Sequence, residues 1–248
     1  MSRPLTGRRV VVTRPLAQSR ELVDRLTALG ADVVELPLTR VVPIEQSAEI
    51  DRALDLIAEY DVIVLTSVTG ADCLADRMAA RGIAPPQAVI VAVGATTADA
   101  LVAHGFVVDR IPTQATGAAL VADLADVDLA GARVLLPRAL VGRPELPAGL
   151  RRAGAIVDDV PFYETVRSAV TPEAVAAALA ADDIVLTAPS GVAAFVELAR
   201  NAHDGPRVVT IGPTTSGAVR DAGLVVSAES AAQSVEGLVA AIRSLPDR

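Results

Sequence analysis

The sequence lacks lysine and tryptophan, so all 22 of its basic residues are arginine. Without a lysine amine the chain can form no Schiff base, bind no pyridoxal phosphate through lysine and build no Walker-type phosphate loop. A single cysteine, Cys73, excludes an internal disulfide and a zinc site made of several cysteines. The two histidines, His104 and His203, have no partner at triad or metal-ligand spacing, so we expect structural roles for both.

Aromatic residues are only 2% of the chain, and the net charge is −8. Both values argue against a nucleic-acid partner. Hydrophobic residues make up 52% of the chain, yet no run approaches the roughly 18 apolar residues of a membrane span. The first 15 residues carry Arg8, Arg9 and Arg14, which a signal peptide would not place there. We therefore expect a cytoplasmic protein with no membrane association and no metal or cofactor.

Short runs rich in Val and Ile recur along the whole chain and predict strands buried on both faces. Helical patterns separate most of them, with apolar residues at spacings of three and four, as at Leu22, Leu26 and Leu29. Strands that alternate with helices indicate parallel sheets in an α/β fold. The predicted strands are Arg9–Thr13, Asp32–Leu36, Val62–Thr66, Val89–Val93, Val107–Arg110, Arg133–Pro137, Ile156–Val160, Asp183–Thr187, Arg207–Ile211 and Leu224–Ser227.

The two halves of the chain repeat each other in three blocks that keep the same order. Gly7–Leu38 matches Gly131–Phe162, Asp61–Arg77 matches Asp183–Ala199, and "VAVGATTADALVAHG" from Val91 matches "VTIGPTTSGAVRDAG" from Val209. Such a pattern predicts an internal duplication that gives two similar parallel-sheet domains of the flavodoxin or Rossmann type. We expect a cleft between them. Two Pro-flanked stretches, Leu36–Ile44 and Val160–Pro172, predict extended connectors, so the first domain would be discontinuous.

The ordered set "VVVTRP", "VIVLTS", "VAVGATTADAL", "FYETV", "DIVLTAPSGV" and "VTIGPTTSGAV" resembles the uroporphyrinogen-III synthase family over nearly the whole chain. The resemblance implies α/β domains at 1–38 with 168–248 and at 44–161, joined by a two-stranded β-ladder at 39–43 and 162–167. It also implies the reaction: hydroxymethylbilane, a linear tetrapyrrole, loses water and closes to uroporphyrinogen III with inversion of its last ring. No cofactor is implied, and we expect a monomer whose partner is this small-molecule substrate.

Candidate substrate ligands lie in the turns after the strands, where helix N-termini offer backbone N–H donors to an anionic ligand. Two arginines at equivalent repeat positions join them, although a Thr or Ser there could be only a helix cap and an Arg only a surface charge. The substrate-binding candidates are Arg14, Thr66, Ser67, Gly70, Gly94, Thr96, Thr97, Arg138, Pro189, Ser190, Gly191, Gly212, Thr214 and Thr215.

Tyr163 matches the tyrosine of the family and is the candidate catalytic acid, since a phenol is protonated at neutral pH and can donate to the leaving hydroxyl. A substrate carboxylic acid or a bound water stays open as the donor. Ala188 stands where the family usually has Ser, and Pro144 and Pro147 are expected to delay the helix after Arg143. Two other classes also stay open: a non-catalytic tetrapyrrole-binding protein, and a nucleotide-dependent Rossmann enzyme, which the lack of a Gly-x-Gly-x-x-Gly motif disfavours.

Overall fold

The computed structural model describes residues 3–45, 47–112, 117–124, 127–199 and 205–246. The chain divides into two compact units, the first made of Met1–Val41 with Val166–Arg248 and the second of Val42–Thr165. Both divisions fall inside the predicted connectors. His203 lies outside the described residues.

The first unit contains a five-stranded sheet of order β2-β1-β8-β9-β10. The recorded pairs are all parallel, with Val10 opposite Val33 and Ile184 opposite Val208. The strands are β1 (Arg9–Val12), β2 (Asp32–Glu35), β8 (Asp183–Leu186), β9 (Arg207–Thr210) and β10 (Val226–Glu229).

Helices cover both faces of this sheet because successive side chains of β1 point to opposite sides. Val10 and Val12 pack with Leu22, Leu26 and Leu238, whereas Val11 packs on the other face. Each such aliphatic side chain contributes about 1.5–3 kcal/mol when fully buried. The helices of this unit are α1 (Leu16–Ala28), α7 (Pro172–Leu179), α8 (Pro189–Leu198), α9 (Pro213–Asp221) and α10 (Val235–Ser244).

The second sheet has the order β3-β7-β6-β4-β5. Its pairs β7-β6, β6-β4 and β4-β5 are parallel. The strands are β3 (Thr39–Pro43), β4 (Val62–Leu65), β5 (Val89–Ala92), β6 (Arg133–Ala139) and β7 (Ile156–Arg167). The helices are α2 (Ala48–Asp55), α3 (Val68–Ala80), α4 (Ala95–Ala103), α5 (Gly117–Asp123) and α6 (Glu145–Arg152), with a 3-10 turn at Ile57–Glu59.

Each unit combines the first half of one sequence repeat with the second half of the other. In the repeat, β1 and β2 correspond to β6 and β7, and β4 and β5 correspond to β8 and β9. The order β2-β1-β8-β9 of one sheet is therefore equivalent to β7-β6-β4-β5 of the other. The predicted α/β class with two parallel sheets and an internal duplication is confirmed.

Two predicted strands differ from the structure. Val107–Arg110 forms only an isolated bridge between Arg110 and Val91, because the Asp109 carboxylate accepts the Ile90 N–H at 2.8 Å where a ladder carbonyl would lie. Leu224–Ser227 is displaced: the Leu224 N–H donates to the Val219 carbonyl at 3.0 Å and closes the end of α9, so β10 starts at Val226. Helix α6 begins at Glu145, seven residues after Arg138, whereas its repeat equivalent α1 begins two residues after Arg14; Pro144 is at its N-cap position and Pro147 lies in its first turn, so the expected delay is present.

A buried ionic cluster closes the amino end of the first sheet. Asp183, fully buried, accepts from Arg8 Nε at 2.5 Å and from Arg207 Nε at 2.9 Å. The guanidinium groups also donate to the carbonyls of Leu245 and Pro246. Arg8 in the first chain segment of the unit and Arg207 in the second both bind Asp183 of β8. This cluster therefore links the two segments of the unit. Among the described residues, no helix is both long enough and apolar enough to cross a membrane.

Candidate active site

Tyr163 and Ser67 meet at the carboxyl end of the second sheet, although 96 residues separate them in sequence. Tyr163 lies on β7 opposite Ala139, beside an irregularity in the β6-β7 register. Its hydroxyl is 2.9 Å from Ser67 Oγ, and either oxygen can donate. Ser67 is also the N-cap of α3 and accepts the Gly70 N–H at 3.0 Å. The structure therefore brings three predicted site residues together.

Gly70 serves this arrangement through packing. It is buried, and a Cβ there would lie 3.1 Å from the Pro137 carbonyl and 3.2 Å from Ser67 Oγ. Because its N–H already donates to Ser67, Gly70 has no backbone donor left for a ligand. Thr66, by contrast, is exposed at the end of β4.

The Tyr163 side chain is only 8% exposed. Burial raises the pKa of its phenol, the hydrogen bond with Ser67 lowers that pKa, and the nearby Cys73 thiol raises it. Burial disfavours the charged form of any acid, so Tyr163 stays a neutral donor at physiological pH. Cys73 is itself buried, and desolvation followed by the charges of Asp76 and Asp72 raises the pKa of its thiol.

The paired threonines are not helix caps, contrary to one of the two interpretations of the sequence. The N-cap of α4 is Gly94, whose φ of 95° favours glycine, and the N-cap of α9 is Gly212. Neither cap supplies a side-chain hydrogen bond, although the Gly94 carbonyl accepts the Ala98 N–H and the Gly212 carbonyl accepts the N–H groups of Thr215 and Ser216. In each helix one threonine is exposed and the next is buried: Thr96 and Thr214 are exposed, Thr97 and Thr215 only 3% exposed.

Helix α8 also begins without a side-chain cap, because Ala188 occupies its N-cap position. Pro189 and Ser190 are exposed in its first turn, and Gly191 is buried with its N–H donated to the Ala188 carbonyl at 3.1 Å. In the repeat, Ala188 corresponds to Ser67. The first unit therefore has an uncapped helix N-terminus at the place where the second unit has the Ser67–Tyr163 pair.

Arg138 forms a two-bond ion pair with Asp159 on the neighbouring strand. Its Nε and Nη2 donate to the two carboxylate oxygens, the Nη2 bond being 2.6 Å, and its Nη1 donates to the Arg143 carbonyl at 3.4 Å. The two side chains are 19% and 16% exposed. A Cβ on Gly142 would lie 2.2 Å from Arg138 Nη1, so that glycine provides the space for the guanidinium. Asp159 is not among the residues predicted from sequence, although the acidic pair Asp158 and Asp159 inside an apolar strand is a signal that could have indicated it.

Arg14, the repeat equivalent of Arg138, has a different environment. The residue corresponding to Asp159 is Glu35, and its carboxylate accepts from Ser19 Oγ at 2.7 Å. Arg14 Nε is buried without a hydrogen-bond partner among the described residues. Desolvation lowers the pKa of this guanidinium, while Glu21 raises it. An arginine donor held in this state at the end of β1 is suited to receive a carboxylate from outside the protein.

Other candidate groups have local structural partners. His104 is the C-cap of α4 and its Nε2 lies 2.9 Å from Asp72 Oδ1, as expected for a helix-end role. A separate cavity of about 490 Å³ lies in the second unit and is lined by Pro43, Glu45, Cys73, Asp76 and Arg77. The described residues include no group of three or more His, Cys, Asp or Glu side chains that could hold a metal ion. The absence of a metal from the chemistry stays a prediction.

Comparisons with known proteins identify the family. The family model described as Uroporphyrinogen-III synthase HemD matches residues 20–240. The chain is 30% identical over 253 residues to the uroporphyrinogen-III synthase of Synechococcus elongatus, with 96% of each chain covered. It is 28% identical over 151 residues to a putative uroporphyrinogen-III synthase of Methanothermobacter thermautotrophicus, covering 60% of this chain and 58% of that one.

Two solved structures share the fold. The uroporphyrinogen-III synthetase of Helicobacter pylori aligns with a TM-score of 0.67 at 19% identity, over 96% of this chain and all of that one. A mutant uroporphyrinogen III synthase of Thermus thermophilus aligns with a TM-score of 0.65 at 18% identity, over 96% and 98% of the two chains. The family model and the cyanobacterial relative both extend over most of the sequence, and the chain belongs to the uroporphyrinogen-III synthase family.

Proposed function

We propose that this chain catalyses the closure of hydroxymethylbilane to uroporphyrinogen III, with loss of one water and inversion of the last pyrrole ring. The observation that carries the proposal is the relationship to a named synthase across 96% of both chains. The enzyme class is that of a lyase acting in porphyrin biosynthesis. Nothing in the structure favours a protein that only binds the tetrapyrrole.

Helix N-termini supply the affinity for the substrate carboxylates. Each pyrrole carries an acetate and a propionate, whereas the protein has a net charge of −8, so long-range attraction does not favour binding. The starts of α4, α8 and α9, none of which has a side-chain cap, present a positive dipole end, and the first turn of α4 adds backbone N–H donors. The exposed side chains of Thr96, Ser190 and Thr214 lie in these first turns, that of Thr66 lies at the end of β4 before α3, and all four are candidate hydroxyl ligands.

Arg14 binds one substrate carboxylate through its guanidinium group. Its Nε is buried and has no partner within the part of the chain that the structure describes, so a bound carboxylate would satisfy this donor. Arg138 differs from Arg14, because its Nε and Nη2 groups already donate to Asp159. It holds the loop after β6 in place and does not bind substrate.

Tyr163 donates the proton that the leaving hydroxyl needs. The C–O bond of the hydroxymethyl group breaks, water leaves with the phenolic proton, and the cation that remains is stabilised by its own pyrrole. The substituted carbon of the last ring then attacks this cation to give a spiro intermediate, which rearranges to the inverted ring. The last pyrrole ring then loses a proton and regains its aromaticity. This proton returns to the tyrosinate, so the acid is regenerated.

Product analysis tests the proposed activity directly. Purified protein receives fresh hydroxymethylbilane alone, and the oxidised products are separated by chromatography. Spontaneous closure occurs without inversion and gives isomer I, so an excess of isomer III supports the synthase, and added chelator should leave its rate unchanged. Isomer I alone, at an unchanged or reduced rate, would leave only the binding function.

We also infer that the protein acts in the cytoplasm as a monomer and without nucleic acid. The acidic charge and the single buried cysteine support this assignment. Light scattering coupled to gel filtration should give the mass of one chain, 25.4 kDa. A mass of two chains at working concentration would contradict the monomer.

A further inference from the structure

Three groups in the second unit form a continuous hydrogen-bond chain from a helix end to the phenol. The Gly70 N–H in the first turn of α3 donates to Ser67 Oγ at 3.0 Å, and Ser67 Oγ lies 2.9 Å from Tyr163 Oη. The side chain of Tyr163 is almost fully buried, so little water competes for its oxygen. The N-terminus of α3 is thereby connected to the proposed proton donor.

The number of hydrogens limits what Ser67 can do. A serine hydroxyl has one hydrogen and two lone pairs, and the Gly70 N–H occupies one lone pair. If Tyr163 donated to Ser67, the phenolic proton would point away from the substrate. If Ser67 donates to Tyr163, the phenolic proton is free to point at the leaving hydroxyl.

We infer that Ser67 is a positioning residue that donates its hydrogen bond to Tyr163 Oη, aims the phenolic proton at the leaving group and stabilises the tyrosinate formed by its transfer. This role rests on the proposed function of Tyr163. A donor that itself accepts a backbone N–H is polarised by that bond, and the positive end of α3 reinforces it. The bond to Ser67 thus opposes the effect of burial, which makes the phenolate harder to form.

The duplication provides an internal comparison. At the positions equivalent to Ser67 and Tyr163, the first unit has Ala188 and Thr39. Helix α8 still forms after Ala188 without any side-chain cap. A serine is therefore not required to start the equivalent helix. Of these two equivalent positions in the repeat, the one with Tyr163 has the pair of hydroxyl groups.

Four variants separate positioning from capping. Ser67→Ala removes both the cap and the donor, and Ser67→Thr keeps both. Ser67→Asp keeps a strong N-cap but can only accept, so Tyr163 would donate to the carboxylate instead of the substrate. The matched control is Ser234→Ala, because Ser234 caps α10 in the first unit by the same contact, a Gly237 N–H at 3.1 Å.

The kinetic test measures kcat, because the proposed role of Ser67 affects the chemical step and not the binding of the substrate. Ser67→Ala and Ser67→Asp should lower kcat by tenfold to a hundredfold with KM changed by less than about twofold, while Ser67→Thr and Ser234→Ala keep the rate. In a Tyr163→Phe background, Ser67→Ala should have no further effect on kcat. An active Ser67→Asp enzyme, or an equal loss in both backgrounds, overturns the role, because Ser67 would then act as a cap or independently of Tyr163.

A spectroscopic titration tests the same bond without turnover. The chain has two tyrosines and no tryptophan, so in a Tyr60→Phe background the near-ultraviolet phenolate absorbance belongs to Tyr163 alone. Ser67→Ala should raise the titration midpoint by about one pH unit, because a donor to the charged form is lost. An unchanged midpoint overturns the proposal. Full turnover by Tyr163→Phe alone would instead remove the proposed acid, so the two failures are distinguishable.

Discussion

The contrast between Arg138 and Arg14 gives a sharp quantitative prediction. Arg138→Met leaves the Asp159 carboxylate without the guanidinium that now takes both of its oxygens. Breaking a fully buried ion pair costs about 3–5 kcal/mol, and exposed pairs contribute roughly 0–1 kcal/mol. With side chains 19% and 16% exposed, the expected loss of unfolding free energy is about 1–3 kcal/mol.

Tyrosine fluorescence measures this loss in the relevant unit. Tyr60 and Tyr163 both lie in the second unit with Arg138, and the chain has no tryptophan to mask them. With a urea m-value of about 2 kcal/mol per molar, in the middle of the usual range, the unfolding midpoint should fall by roughly 0.5–1.5 M. The substrate KM of this variant should change by less than about threefold, because Arg138 is not a proposed ligand.

Arg14→Met is the matched substitution in the first unit. It removes a buried donor that has no hydrogen-bond partner among the described residues, so the free energy of unfolding followed by circular dichroism should stay within about 0.5 kcal/mol of the wild-type value. The substrate KM should rise at least tenfold, the effect of losing about 1.4 kcal/mol of binding. Equal destabilisation by both variants, or a larger rise in KM for Arg138→Met, would refute this division of roles.

Three further experiments use substitutions at Tyr163, at Tyr60 and at two glycines. Tyr163→Phe keeps the ring and should lower turnover by about 10²–10⁴, whereas a loss below tenfold would favour a proton from the substrate or water. Burial and the hydrogen bond to Asp158 raise the pKa of Tyr60. The contribution of this side chain to stability is therefore complete below about pH 10 and is lost as the pH rises further. Tyr60→Phe should flatten that alkaline decline in urea titrations, and an identical decline in the variant would count against this reasoning. Gly94→Ala should cost about 1–2 kcal/mol because of its positive φ, while Gly217→Ala inside α9 should be neutral or stabilising, and equal thermal shifts would contradict the conformational reason.

The sequence predicts strands best where burial is complete. The four residues of β4 and the four of β8 are buried throughout, and their continuous Val, Ile and Leu runs mark them clearly. Val107–Arg110 also begins with two valines, but Val107 is 76% exposed and the Asp109 side chain takes the position of a pairing partner. Composition alone does not show which apolar run lacks a neighbouring strand.

The candidate site is predictable as a set of turns but not as a set of roles. The repeat pattern locates Arg14 and Arg138 at equivalent positions, yet their environments differ because Ser19 occupies Glu35 while Asp159 remains available to Arg138. The Ser67–Tyr163 contact depends on the pairing of strands far apart in sequence. The threonine pairs look like caps, and only the backbone shows that glycine precedes them at the true N-cap positions.

The exchange of half-repeats between the two sheets has a consequence for synthesis on the ribosome. Strands β1 and β2 emerge first, but β8, which pairs with the other edge of β1 and carries Asp183 for Arg8, emerges only after the whole second unit. That unit is one continuous segment and can fold as soon as it has emerged. At 5–20 residues per second its ~120 residues take roughly 6–24 s, during which an apolar parallel strand edge has no partner. Strands β1 and β2 therefore stay without β8 throughout the synthesis of the second unit, and a chaperone that covers apolar strand edges would protect them in that interval.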